Sequence, residues 1–485
     1  MKRAIPVIHS PSGCSNYAVS EFVIAEKQGC HIFTSSLLAT DVAHGGLDRL
    51  RRAVKEAVKN YNPELLVVTT TNVTELLISE DILQCEVEGL RCDVGVPVVP
   101  IYANTLRDTF YDGIDKALYV LTREFCDQKA SGGGDGKQPS VNIIGPTKGI
   151  FNWRADLLET LRLLKGVDLR INAIVPANAG IEDFRNLPHA DLTILMYPYD
   201  FGESAARFLE KEFGIAYYTE VPFGIEGTME FLEGLKEYFP SISKRVEEFL
   251  AREMRVWGAS VIDDMDISGF TIADSPVAVF GSNTLAYGLS RVLSDDLWMS
   301  LAVIGIKNGM HEALVGFFRE RELGGTKVLV MPGKEQIVDS LKSASPFMVF
   351  GGFTEYLASQ EAGIGSFIPA SEPARYFSSR YLDAPFRGIR GVSYLLHRVW
   401  EETVKFVYAY KRSHPREDIR SEEGLMYEEE ALERLNGVLA RVPHFIRSRV
   451  RFAIERILRE RVRGRKVTVK DVEEAVLEAM RVGMK

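Results

Sequence analysis

The chain reads as an α/β protein, with three Rossmann-like parallel-sheet domains followed by a small C-terminal helical domain. Two observations predict this. Short apolar runs rich in Val and Ile alternate with segments of helical period, and the cycle restarts twice, the pattern of parallel sheets wrapped by helices. Near Arg412 the text changes to a charged, strand-poor tail. At 485 residues and 46% hydrophobic the chain can bury several cores, because a single core rarely grows beyond roughly 250 to 300 residues.

The first domain, residues 1–128, opens with an apolar strand, Ile5 to His9, and a turn, Ser10-Pro-Ser-Gly-Cys14. Pro and Gly break regular structure there and present Cys14 on a loop at a strand's end. Leu47, Leu50, Val54 and Val58 share one helical face, and Leu65 to Thr69 follows as a short β-rich run. The segment Cys126 to Ser140 mixes Gly, Ser, Lys and Pro, which favours neither helix nor strand and marks the first boundary.

The second domain, 140–265, repeats the cycle with strands Val141 to Ile144, Leu169 to Val175 and Asp191 to Tyr197, and helices Arg154 to Leu164 and Gly202 to Phe213. The third, 274–412, begins at Pro276-Val-Ala-Val-Phe-Gly281, then helix Thr284 to Leu293 and strands Trp298 to Ile306, Lys327 to Met331 and Phe347 to Phe350. The tail, 425–485, carries three amphipathic helices at Tyr427 to Leu439, Phe445 to Arg459 and Val467 to Arg481.

A formal net charge of -9 gives no global attraction to nucleic acid or anionic lipid. No run approaches the roughly 20 apolar residues of a membrane span, and Met1 to Pro6 is too short and mixed for a secretory signal. A cytoplasmic protein is expected. Five cysteines, Cys14, Cys30, Cys85, Cys92 and Cys126, are too few and odd in number for a disulfide scaffold.

Taken alone, Cys14 is more often a small buried residue than a ligand. Its place at the carboxyl end of a parallel strand raises it to the best metal candidate, since open α/β sheets put ligands there and thiolates suit iron-sulfur clusters. Cys30, Cys85 and Cys92 lack the CxxC-type spacing of a self-contained site. Any cluster then needs a partner's ligands.

Gly145-Pro-Thr-Lys-Gly149 sits between strand and helix but matches no phosphate-binding pattern, so it reads as a turn. Asp263, Asp264, Asp266 and Asp274 crowd one stretch, where a carboxyl in an apolar pocket could donate a proton; a solvated acidic loop is the plainer reading. His9, His44 and His311 show no ligand spacing and read as structural. Arg447, Arg449 and Arg451 could clamp carboxylates or form a solvated basic face.

Together these residues resemble the nitrogenase-like family, which includes dark-operative protochlorophyllide reductase, chlorophyllide a reductase and nitrogenase component 1. His9-Ser-Pro-Ser-Gly-Cys14 is similar to the first cluster-ligand loop, Thr40-Asp-Val-Ala-His-Gly-Gly46 to the T-E-D...G-G turn, and Thr69-Thr-Thr-Asn72 with Glu75 to the T-T-C-x-x-E segment. Only the first keeps its cysteine: the second region reads Phe33-Thr-Ser-Ser36 and the third has Asn72. One retained ligand resembles the B and Z subunits of the chlorophyll enzymes. The Z subunit carries Cys at the Cys14 position and the B subunit Asp, whereas the tail around Val442-Pro-His-Phe-Ile-Arg447 looks like that of B.

The resemblance implies a subunit of an ATP-dependent reductase that reduces a ring double bond of chlorophyllide a or protochlorophyllide. It implies a 4Fe-4S cluster held by Cys14 and shared with a homologous partner subunit in a heterotetramer. ATP is then hydrolysed by a separate iron-sulfur electron donor. Asp266 and Asp274 are nominated as proton donors. The alternatives are a subunit of the nickel-tetrapyrrole reductive cyclase of F430 synthesis, a carbon-sulfur-cleaving reductase, and a non-catalytic assembly scaffold.

Overall fold

The computed structural model describes residues 1–16, 31–42, 45–126, 138–261, 272–373, 383–413, 425–440, 444–462 and 465–483. The α/β class holds: three parallel sheets, each flanked by helices, precede a set of C-terminal helices. Two compact units form, one of Met1–Pro222, Met229–Leu250 and Glu372–Asp383, the other of Phe223–Thr228, Ala251–Ser371 and Ala384–Lys485.

The first unit holds two four-stranded sheets. Strands β1 (Ala4–Ile8), β2 (Phe33–Thr34), β3 (Leu65–Thr69) and β4 (Val98–Ile101) lie in the order β2-β1-β3-β4. Helices α1 (Leu47–Tyr61) and α2 (Glu80–Val94) make the crossovers from β2 to β3 and from β3 to β4, and α3 (Phe110–Phe125) follows β4. The shared face of α1 turns Leu50 and Val54 onto Val7, Leu66 and Val68, with Leu83, Val87 and Leu90 of α2 in the same core. Each such side chain contributes roughly 1.5 to 3 kcal/mol of burial.

In the same unit β5 (Ser140–Ile144), β6 (Arg170–Val175), β7 (Leu192–Leu195) and β8 (Tyr217–Tyr218) form β6-β5-β7-β8. Helices α4 (Trp153–Gly166) and α5 (Glu203–Phe213) flank them; α6 (Gly224–Tyr238) and α7 (Ser243–Glu253) follow in the chain, their residues Met229–Leu250 in this unit and the rest in the other. Every residue of β5 is buried, as a central parallel strand covered on both faces requires. Residues 145–149 form the expected turn region.

The second unit holds β9 (Pro276–Gly281), β10 (Ser300–Ile306), β11 (Lys327–Val330), β12 (Met348–Gly351) and β13 (Phe367–Pro369) in the order β11-β10-β9-β12-β13. Its helices are α8 (Asn283–Arg291), α9 (Val315–Leu323), α10 (Lys334–Ala344), α11 (Phe353–Glu361) and α12 (Gly388–Ser413). The tail forms α13 (Glu429–Ala440), α14 (His444–Val462) and α15 (Val469–Gly483) around Leu435, Ile454, Leu458, Val472 and Ala475. Among the described residues no helix is long and apolar enough to cross a membrane.

Candidate metal centre at the carboxyl edge of the first sheet

Strand β1 ends at Ile8, and the chain passes through His9, Ser10 and Pro11 into one helical turn, residues 12–16, that carries Cys14. The Ser15 amide donates to the Pro11 carbonyl at 3.2 Å and closes the turn. The Cys14 thiol is exposed. In the order β2-β1-β3-β4 the connections from β1 diverge, so the topological switch point lies at the carboxyl ends of β1 and β3. Ligands of open parallel sheets bind there.

His9 anchors this loop from below. Its ring Nδ1 lies 2.9 Å from Ser35 Oγ and its Nε2 lies 3.0 Å from the Gly45 carbonyl. A carbonyl only accepts, so this network assigns the proton to Nε2 and leaves Nδ1 to accept from the Ser35 hydroxyl. Burial holds the imidazole below its ordinary 6.5, against the opposing Gly45 bond and the charge of Glu86. His9 is thus a buried neutral clamp, the structural role expected of it.

Hydroxyls hold the rest of the loop from both neighbouring strands. Ser35 Oγ accepts the Ser10 amide at 2.9 Å, and Ser15 Oγ and Thr34 Oγ1 share a hydrogen bond of 2.7 Å. From the β3 side, Thr74 Oγ1 donates to the His9 carbonyl at 2.9 Å and Thr71 Oγ1 to Ser10 Oγ at 3.2 Å. The Glu75 carboxylate accepts from Thr70 Oγ1 at 2.6 Å and from the Thr105 amide and hydroxyl at 2.7 and 2.8 Å. Glu75 thereby ties the loop after β3 to the loop after β4.

Gly45 and Gly46 have φ of 71° and 65°, the left-handed region that disfavours a side chain. A Cβ on Gly46 would stand 2.1 Å from Leu37 Cδ2. The Gly-Gly turn is therefore the piece that lets residue 45 bring its carbonyl to His9. The described parts of all three resemblance segments meet at this one edge, although up to 65 residues separate bonded partners.

The other cysteines differ. Cys85 and Cys92 are exposed on α2, and Cys126 is buried, its thiol donating to the Phe184 carbonyl at 3.4 Å. Burial pushes the Cys126 thiol up to about 12, which keeps it protonated and unsuited to ligation. Cys30, His44, Asp263, Asp264 and Asp266 lie outside the described residues. Among the described residues no group of three or more His, Cys, Asp or Glu side chains is placed to hold a metal ion.

Asp274 belongs to the second unit and is exposed, with φ of 58° and its amide donating to the Trp298 carbonyl at 2.8 Å. It precedes β9 and so stands at the amino end of that strand, opposite the edge where such sheets take ligands. His311 caps the turn Glu312–Leu314 by accepting the Ala313 amide at 3.3 Å. Arg451 pairs at 2.8 Å with Glu455 on its own helix. Of the hydroxyl network, Thr34, Ser35 and Thr70 fall in the resemblance segments, whereas Ser15, Thr74 and Thr105 are singled out by no motif and are joined to them by the parallel register.

Residues 1–403 match the family described as nitrogenase component 1 type oxidoreductase. The B subunit of the light-independent protochlorophyllide reductase of Prochlorococcus marinus (strain NATL1A) is 26% identical, over 78% of this chain and 72% of that protein. Its counterpart of the same name from Halorhodospira halophila is 27% identical, over 81% and 73% respectively. A solved structure of a nitrogenase protein, "Nitrogenase Cp1 at pH 6.5", superposes with a TM-score of 0.71 at 19% identity, over 87% of this chain and 92% of that one. This last likeness is one of fold.

Proposed function

We propose a function from one premise: the chain belongs to the nitrogenase component 1 type oxidoreductases. It is a subunit of the catalytic component of an ATP-dependent reductase that acts on a tetrapyrrole of chlorophyll synthesis, protochlorophyllide or chlorophyllide a. The names of the curated relatives support the substrate class. The observation that carries the reading is Cys14, an exposed thiol at the switch point of the first sheet, on a loop fixed by His9, Ser35 and Thr74.

The residues fit an iron-sulfur cluster. A thiolate is the soft donor iron accepts, and an exposed one can be shared with ligands from another chain. Cys14 would hold one iron of a four-iron cluster, and a homologous partner subunit in a heterotetramer would supply the remaining ligands. When bound, such a cluster supplies one-electron reduction, the electrons arriving from a separate ATP-hydrolysing iron-sulfur protein. The chain's own part is to position the Cys14 loop through the bonds made by His9, Ser35 and Thr74. Asp266 and Asp274 are the nominated proton donors; Asp274 stands at the amino end of β9, away from the edge where open parallel sheets take ligands. The assembly works in the cytoplasm.

The test is an anaerobic assay with candidate partner subunits, the ATPase component and ATP, offered protochlorophyllide and chlorophyllide a in parallel. ATP-dependent loss of one pigment's absorption band, with a reduced product, supports the reading and names the substrate. Turnover of neither, with reduction of a nickel tetrapyrrole by this chain alone or with cluster transfer to an acceptor protein, overturns it.

A further inference from the structure

The carboxyl edge of the first sheet carries an apolar row as well as a thiol. The order β2-β1-β3-β4 sets the loops that leave these strands side by side, at a spacing of roughly 4.8 Å per strand. The loop after β2 bears Leu38, the turn after β1 bears Cys14, Leu76 ends the turn Asn72–Glu75 after β3, and the loop after β4 bears Leu106. The three leucines are 54%, 73% and 59% exposed, and Cys14 is exposed between them.

The bonds that fix the Cys14 loop also fix this row. The Leu37 amide donates to the Ser10 carbonyl at 3.1 Å and the Leu38 amide to the Asp41 carboxylate at 2.8 Å. Glu75, beside Leu76, accepts from the amide and hydroxyl of Thr105, beside Leu106. The corresponding loops of the second sheet do the opposite: Ile150 and Phe151 after β5, and Met196, Tyr197 and Phe201 after β7, are all buried. A single exposed leucine needs no explanation, but three along one sheet edge make a patch of the kind that another protein covers. Asp41 pairs with Arg49, and Glu75 is bonded to Thr70 and Thr105, so these carboxylates are engaged within the chain. An apolar centre bordered by serine and threonine is the anatomy of a protein interface.

We propose that Leu38, Leu76 and Leu106 form the apolar seat of the partner subunit, and that they hold it whether or not a cluster is bound. The identity of the occupant rests on the cluster reading above. One thiolate cannot complete a cluster, and among the described residues no three ligating side chains converge, so the chain that covers this edge is the one that brings the other ligands. Leu38 stands on one side of Cys14 in the strand order and Leu76 and Leu106 on the other. A partner seated on all three is aligned across the thiol and excludes water from it. The seat is made of side chains that need no metal, so docking precedes and outlasts the cluster.

The test uses the full chain, tagged and produced anaerobically with candidate partner subunits; the subunit that co-purifies with the wild type is then titrated against it with iron present and with iron removed. Leu76→Ser and Leu106→Ser should each raise Kd by on the order of tenfold, and by about a hundredfold together, in both states. Leu76→Met, which keeps the apolar contact, should bind like the wild type. Cys14→Ala should keep Kd within about threefold of the wild type. If the leucine variants weaken docking while Cys14→Ala retains its iron, the seat stands and the cluster assignment alone falls. Unchanged affinity in the double variant overturns the seat. So does a wild-type complex that falls apart without iron, or a chain that pairs only with itself or with nothing. Leucine variants that assemble normally but lose ATP-dependent turnover overturn it too, by assigning the row to the electron donor.

Discussion

The first and third sheets share a switch-point topology and use it in opposite ways. At the carboxyl ends of β1 and β3, serine, threonine and histidine side chains bond one another and the backbone, and leave an exposed thiol on top. At the carboxyl edge of the third sheet, beside β9, β10 and β12, the side chains bond among themselves. Lys307 Nζ lies 2.7 Å from Glu355 Oε2, with the two side chains only 15% and 5% exposed. The same Glu355 oxygen accepts the Gly352 amide at 2.7 Å, and Asn283 bonds to Asn308 and to the Gly309 carbonyl. One topology thus yields an exposed thiol in one unit and an internal ion pair in the other. The fold supplies the place; the side chains decide whether it holds itself together or holds something else.

The sharpest way to test this contrast is to remove one charge from the closed edge. Lys307→Met should leave Glu355 buried beside a lost partner and cost about 3 kcal/mol, read as a lowered urea midpoint. Adding Glu355→Gln should recover part of the loss, because no buried carboxylate is then stranded. If Lys307→Met is neutral, the pair is not the fastener described.

At the first sheet the largest structural effect should come from the Gly-Gly turn. Gly46→Ala combines a left-handed backbone with a collision against Leu37 and should cost about 2 kcal/mol, measured the same way. The same clamp predicts a pH dependence. Because burial holds His9 below 6.5 in the folded chain, its contribution is present above that value and is lost as pH falls below it. The acid limb of a thermal-stability profile should therefore flatten in His9→Gln. An unchanged limb would show that His9 is not the group responsible.

Much of the fold is legible in the sequence because central parallel strands are continuous apolar runs. Leu65 to Thr69 and Pro276 to Gly281 coincide with β3 and β9. Edge strands are harder to read. Strand β4 contains Pro100, a residue that argues against a strand, and it is tolerated because β4 lies at the sheet's edge, where a missing N–H costs no ladder bond. Strand β2 is only two residues long, too short for any period to show. At the site, Pro11, Gly13 and Cys14 announce a loop after a strand, but the support beneath it joins His9 to Ser35 and Gly45. Such long-range bonds are created by strand register and leave no local pattern. Asp274 illustrates the converse: both its acidity and its place just before the strand Pro276 to Gly281 are visible in sequence.

The smallest expected change in stability belongs to the residue with the largest expected functional effect. Cys14 is exposed, so Cys14→Ala should leave the urea midpoint within about 0.5 kcal/mol of the wild type. The decisive measurement is iron content and electron paramagnetic resonance of the anaerobically co-purified complex, wild type against Cys14→Ala. Loss or marked alteration of a four-iron signal, with the complex intact, is the predicted result. An unchanged cluster in Cys14→Ala would contradict the account and remove Cys14 from the metal centre.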